Sequence, residues 1–292
     1  MYDRILVPTD GSQNAEAAAR HARRLADELG STAHILSVVD TGAYSDQLAD
    51  FDDIVQERRT ALEDRAKDAV TAVEEIISGT SDIPYESVIE HGTPYETILN
   101  YVSENDIELT VMGSHGRGGL DRLLLGSVTE RVVRTSDAPV IVVPPTRIDQ
   151  ETIACDSILI PTDGSVAADA AVTHGLALAG QFEAAVHVLY VIRSGRGLPS
   201  PSDPERIEAE DVVRSVVEKA DQRGIEVKTH VQAGSPHDSI RNFIPKHGID
   251  LVTMGTHGRS GFKRYLLGSV TEKVLRTSDA PVVTTRLTNQ NT

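Results

Sequence analysis

The chain has 292 residues, 39% of them apolar and 25% charged, with a net charge of −16. That composition fits a globular protein of about two domains, and no apolar run approaches the ~20 residues of a membrane span. An excess of acid argues against general nucleic-acid binding, which needs a basic face. The single cysteine, Cys155, excludes an intrachain disulfide framework.

Taken in chain order, apolar strands alternate with amphipathic helices. Ile5–Pro8 is predicted as a strand closed by Pro-Thr-Asp-Gly, and the start MYDRILVPTDGS has no signal-peptide layout, so a cytoplasmic location is expected. Ser12 then caps a helix to about Leu29, with Ala15, Ala18, Ala22, Leu25, Ala26 and Leu29 on one face. A strand is expected at Ala33–Val39. A charged helix follows from about Asp53 to Ser78, marked by Ala61, Ala69, Ala72, Val73 and Ile76. Strand Tyr85–Glu90, helix Pro94–Asn105, strand Leu109–Met112, helix Ser127–Arg134 and strand Pro139–Val143 complete the unit. Runs such as ILV and IVV are continuous rather than alternating, as in a parallel sheet covered on both faces.

The unit then repeats. RILVPTDGS at Arg4–Ser12 returns as SILIPTDGS at Ser157–Ser165, and RTSDAPV at Arg134–Val140 returns at Arg276–Val282. The offset falls from 153 to 142, which places an 11-residue deficit between the second strand and second helix of the second copy. We expect domains at 1–145 and 154–288 joined by a linker at 146–153, Cys155 being a small linker or core residue.

The most informative stretch is MGSHGRGGLDRLLLGSVTE from Met112. It returns from Met254 as MGTHGRSGFKRYLLGSVTE, with 14 of 19 letters unchanged. The spacing is Gly113-x2-Gly116-x9-Gly126-Ser127, and Gly255-x2-Gly258-x9-Gly268-Ser269 in the second copy. Glycine after a strand lets a bulky anion approach the backbone. A helix opening at Ser127 or Ser269 presents unpaired N–H groups and the positive end of its dipole, a seat for phosphate. The competing reading of Ser127-x-x-Glu130 and Ser269-x-x-Glu272 is a pair of capping boxes that need no ligand.

Charge favours an anion. Arg117, Arg122, Arg131 and Arg134 face only Asp121 and Glu130 along the first stretch, and Arg259, Lys263, Arg264, Lys273 and Arg276 face only Glu272 along the second. A salt-bridge network is the alternative for some of these arginines. Asp10 and Asp163 end their strands, either to accept ribose hydroxyls or to close Asx turns. His115 and His257 have no His or Cys near them at metal-ligand spacing, so no metal site is expected there. The sequence carries no P-loop, no dinucleotide glycine fingerprint and no hydrolase elbow. The low lysine content, 6 against 22 arginines, and the acidic balance read as adaptation to high salt.

The glycine stretch, the following V-T-E and P-V segments and the opening PTDGS together resemble the universal stress protein family over nearly the whole chain. The resemblance implies two tandem α/β domains of the adenine-nucleotide α-hydrolase-like (Rossmann-like) type, each a five-stranded parallel sheet between helices. It implies ATP, with magnesium or manganese carried on its phosphates. In the first domain Asp10 would meet the ribose and Val38 the adenine, with Gly113, Gly116, Arg117, Gly126, Ser127, Val128 and Thr129 around the phosphates. In the second, the matching set is Asp163, Val191, Gly255, Gly258, Arg259, Gly268, Ser269, Val270 and Thr271. The resemblance also implies pairing of Val140–Val143 with Val282–Thr285, an intrachain pseudo-dimer that leaves room for a homo-oligomer. The expected role is a nucleotide-dependent binding module in stress response. A slow ATP hydrolase and an interaction protein with incidental nucleotide are the alternatives.

Overall fold

A computed structural model describes residues 2–42, 52–79, 82–116, 125–147, 155–193, 199–200, 202–256 and 267–286. The chain forms two compact units, one of Met1–Ala138 with Pro145–Glu151 and one of Pro139–Pro144 with Thr152–Thr292.

In the first unit the elements run β1 (Arg4–Thr9), α1 (Gln13–Leu29), β2 (Thr32–Asp40), α2 (Asp52–Ser78), β3 (Tyr85–Gly92), α3 (Pro94–Glu104), β4 (Leu109–Gly113) and α4 (Ser127–Thr135). β2 pairs with β3 and with β1, and β1 pairs with β4, all parallel. β1 and β4 are buried almost throughout because helices cover both faces of the sheet. α1 packs its alanine face on β4 and against α2, while α3 packs on α4 and β2. Small side chains let α1 lie close to the sheet. The helix stops at Gly30, whose φ of 67° sets the left-handed turn that caps its last carbonyls.

Two expectations about α2 need correction. Its buried stripe is Ala66, Ala69, Val70, Val73 and Ile77, at helical spacing, whereas Ala61 is exposed and Ile76 half-buried. The deficit of the second copy also lies elsewhere than expected. α2 has 27 residues and its counterpart α6 has 18, so most of the shortening is within the helix rather than in the connection before it.

In the second unit the elements are β5 (Val140–Val143), β6 (Ser157–Thr162), α5 (Val166–Phe182), β7 (Ala185–Ile192), α6 (Pro204–Asp221), β8 (Val227–Ala233), α7 (Pro236–His247), β9 (Leu251–Gly255), α8 (Ser269–Thr277) and β10 (Val282–Thr285). β10, β9, β6, β7 and β8 form a five-stranded parallel sheet in that order. β5, the last strand of the first repeat, runs antiparallel to β10, with Val142 opposite Val282 and Val140 opposite Thr284. Thr284 Oγ1 donates across this pairing to the Val140 carbonyl at 3.1 Å. Cys155 is buried. No helix among the described residues is long and apolar enough to cross a membrane.

The acidic balance gives one prediction for the whole chain. At ~2 M NaCl repulsion between surface carboxylates is screened within a few ångströms. The melting temperature should therefore rise between 0.1 and 2 M salt; a temperature indifferent to salt would count against adaptation to salt.

Candidate nucleotide site

In both units the strand order reverses beside the first strand. β1 lies between β2 and β4, and β6 between β7 and β9. The carboxyl ends of such a pair open a crevice outside the sheet. The loops that reach it are those after β1 and β4, and after β6 and β9.

The loop after β1 is a fixed scaffold. Asp10 Oδ1 accepts from the Ser12 N–H at 3.0 Å, the Gly11 N–H donates to Thr9 Oγ1, and Ser12 Oγ accepts from the Ala15 N–H to cap α1. Gly11 takes a φ of 72°, which a side chain would strain. Asp163, Thr162, Gly164 and Ser165 repeat every one of these bonds. The Asx turn therefore forms in both units, and it occupies one carboxylate oxygen of each aspartate.

The glycines after β4 divide into two kinds. A Cβ on Gly113 would lie 2.8 Å from the backbone carbon and oxygen of Asn14, so Gly113 lets α1 sit against the end of β4. Gly255 does the same against the backbone of Ala167. Gly116 is exposed, and its missing Cβ faces the Asp10 carboxylate, 2.6 Å from Oδ2. Gly126 returns to this loop, its N–H donating to the Ser114 carbonyl at 2.8 Å, as Gly268 does to Thr256 at 2.7 Å. Thr129 Oγ1 donates to the Gly113 carbonyl at 2.9 Å, and Thr271 Oγ1 to that of Gly255 at 2.8 Å. Each glycine stretch is thus clasped at both ends.

Helices α4 and α8 start at Ser127 and Ser269. Their N-caps are Gly126 and Gly268, with no side-chain capping bond. The capping boxes weighed from sequence do not form, because the caps fall one residue earlier than the pattern requires. Glu130 and Glu272 turn instead to Arg134 at 2.5 Å and Arg276 at 2.7 Å. The first N–H groups of both helices are left without side-chain caps, as an anion seat requires. Some of the clustered arginines do serve ion pairs, and Arg131 lies over the Tyr95 ring, 4.6 Å from its centroid.

In the second unit these parts enclose a cleft of about 520 Å³. Asp163, Val191 and Gly255 line it from the strand ends, and Gly268, Ser269, Val270 and Thr271 from the start of α8. Tyr190, Arg193, Glu205 and Glu208 also line it and were not foreseen. In the first unit, Asp10, Gly113, Gly116 and Gly126 converge at the ends of β1 and β4, and Ser127, Val128 and Thr129 form the first turn of α4. Val38 stands near the end of β2, opposite Glu90. Arg117, Gly258 and Arg259 lie outside the described residues. His115 is buried, with Nδ1 2.9 Å from Ser114 Oγ, and burial pushes its pKa below the usual imidazole range. Among the described residues no three His, Cys, Asp or Glu side chains are grouped to hold a metal.

The family description "Universal stress protein family" matches residues 1–144 and again 155–286. The chain belongs to the universal stress protein family. A universal stress protein of Methanocaldococcus jannaschii is 35% identical over 134 residues, 43% of this chain and 79% of that protein. One from Mycolicibacterium smegmatis is 26% identical over 293 residues, covering 97% of this chain and 96% of the relative. The fold agrees with the crystal structure of a universal stress protein from Archaeoglobus fulgidus, with a TM-score of 0.73 and 23% identity across 98% of this chain and 99% of that one. This universal stress protein therefore carries the family unit twice, and the two copies share the turn after their first strand and the glycine N-cap of the helix that follows their fourth.

Proposed function

We propose that each unit binds ATP and that the chain works in the cytoplasm as a nucleotide-dependent binding module in stress response. The observation that carries this reading is the cleft of about 520 Å³ at the strand-order reversal, which ends on the uncapped first turn of α8. Its volume is in the range of small-molecule sites. Its chemistry is divided as a nucleotide requires, with strand-end backbone and apolar groups at Val191 and Ile192, a carboxylate at Asp163, and unpaired helix N–H groups at the other end. Magnesium or manganese would enter on the phosphates rather than on protein ligands.

Binding is favoured over turnover. Hydrolysis needs a base placed above the terminal phosphate, and His115 is buried and bonded to Ser114. The test is calorimetric titration with ATP and magnesium, beside denaturation of freshly purified protein and analysis of the nucleotide released. Saturable uptake approaching two ATP per chain, recovered intact, is expected. Slow accumulation of ADP would favour the hydrolase, and protein that neither carries nor takes up nucleotide would leave only the interaction role.

A further inference from the structure

The two crevices share a design but differ in the charge of the residue that follows the second strand's apolar run; Glu205 and Glu208 line the second cleft together with Arg193. β7 ends at Ile192, and the next residue, Arg193, lines the cleft of the second unit. Arg193 also lines a second hollow of about 470 Å³. The two hollows share Arg193, Pro236, Ser269 and Val270, so the cleft continues past the open turn of α8. Lys273, one turn into that helix, lines this extension. Among the described residues Arg193 is exposed and forms no ion pair. Asp238 lies near Lys273, and its carboxylate is held by Ser235 and by His237 Nδ1 at 3.0 Å. His237 Nε2 is taken by Thr277 Oγ1 at 2.9 Å, so both nitrogens of this ring are engaged, and among the described residues the cations that line the opening are Arg193 and Lys273.

The first unit is built otherwise at the matching positions. Asp40, the last residue of β2, stands where the second unit has Arg193, and its Oδ1 accepts from the Gly42 N–H at 2.9 Å. Arg131 replaces Lys273 and is drawn over the ring of Tyr95, the counterpart of His237. The residue aligned with Arg193 has thus reversed its sign between the repeats, and the cation aligned with Lys273 is engaged by an aromatic face.

We propose that the two sites differ in ligand preference, the second selecting a nucleotide with an extended phosphate chain through Arg193 and the first discriminating far less. This rests on the nucleotide reading above and adds to it a residue that sets specificity. A guanidinium beside the α8 turn gains with each added phosphate charge and offers forked donors to its oxygens. Asp40, at the aligned position of the first repeat, would repel them.

The experiment is calorimetric titration of the full chain with ATP and, separately, with AMP, for the unmodified protein and for Arg193→Asp, Arg193→Gln and Asp40→Arg. Two affinity classes for ATP are expected. Arg193→Asp should weaken the tighter class at least tenfold for ATP and less than twofold for AMP, with Arg193→Gln between. Asp40→Arg should strengthen the weaker class for ATP alone. Arg193 is exposed, and a melting curve confirms that each variant is folded. Equal losses for ATP and AMP, or an unchanged ATP affinity in both Arg193 variants, would overturn the inference while the nucleotide reading stands. A chain that takes up neither nucleotide overturns both.

Discussion

Gly113→Ala is expected to destabilise the first unit by about 1–3 kcal/mol, the usual cost of forcing a methyl group into a packed place. The new Cβ would lie 2.8 Å from the backbone of Asn14 at the start of α1, and backbone cannot yield as a side-chain tip can. Either α1 lifts from the end of β4 or β4 shifts, and both are core elements. Gly116→Leu, three residues along the same motif, should behave differently. Its Cβ meets a side-chain oxygen of exposed Asp10 rather than backbone, and making room costs at most the turn bond that Asp10 accepts from Ser12, so stability should change by about 1 kcal/mol or less. The leucine would occupy the approach between Asp10 and the start of α4, and ATP stoichiometry should fall from two to one. Urea unfolding and calorimetric titration of both variants separate the cases. Gly113→Ala unfolding like the unmodified chain would show that the approach to Asn14 has slack. Gly116→Leu retaining two ATP would remove Gly116 from the site.

That contrast shows what could be read in advance. Two glycines spaced as Gly-x2-Gly look alike in sequence, because spacing does not say which backbone a missing Cβ faces. The element order was legible because continuous apolar runs and 3–4 spacings each occur twice, so weak signals in one copy were supported by the other. The Ser12 and Ser165 caps were legible for the same reason. The capping boxes misled because Ser-x-x-Glu scores a pattern while the position of the cap is set by the loop, here the turn of Gly126 back onto Ser114. The shortened helix α6 was misplaced because a gap within a charged, low-complexity stretch has no unique position. Arg193, Glu205 and Glu208 were missed as lining residues because they come from elements far from the glycine motif and only the fold brings them to it.

The second large effect expected is acid sensitivity of the second unit. His187 on β7 is buried, its Nδ1 3.1 Å from Nε2 of His230 on β8, and both rings lie 5.4 Å from His247 on α7. Phe243 closes the cluster, and Lys228 and Lys246 are the charged groups that act on it. Burial first, then the neighbouring histidines and Lys228, push the pKa of His187 down to about 4, and His230 is lowered as well. Unfolded, His187 binds its proton near pH 6.5, and folded only near 4, so its contribution to stability is intact above about pH 6.5 and declines as the pH falls toward 4, with His230 acting in the same direction. In the first unit burial lowers the matching His34 too, but Glu86 at 3.9 Å opposes the shift, Tyr101 Oη lies at 3.0 Å, and Val88 and Asn105 stand in place of His230 and His247. Buried His21 and its half-buried counterpart His174 are both pushed down by burial, so this position is lowered in both units. Amide exchange followed from pH 7 to pH 5 should therefore show β7, β8 and α7 losing protection before β2, β3 and α3. The double variant His230→Val with His247→Asn, which installs what the first repeat carries, should bring the two units together. Parallel loss in both units of the unmodified chain, or a double variant as acid-sensitive as its parent, would place the source of the effect outside this cluster.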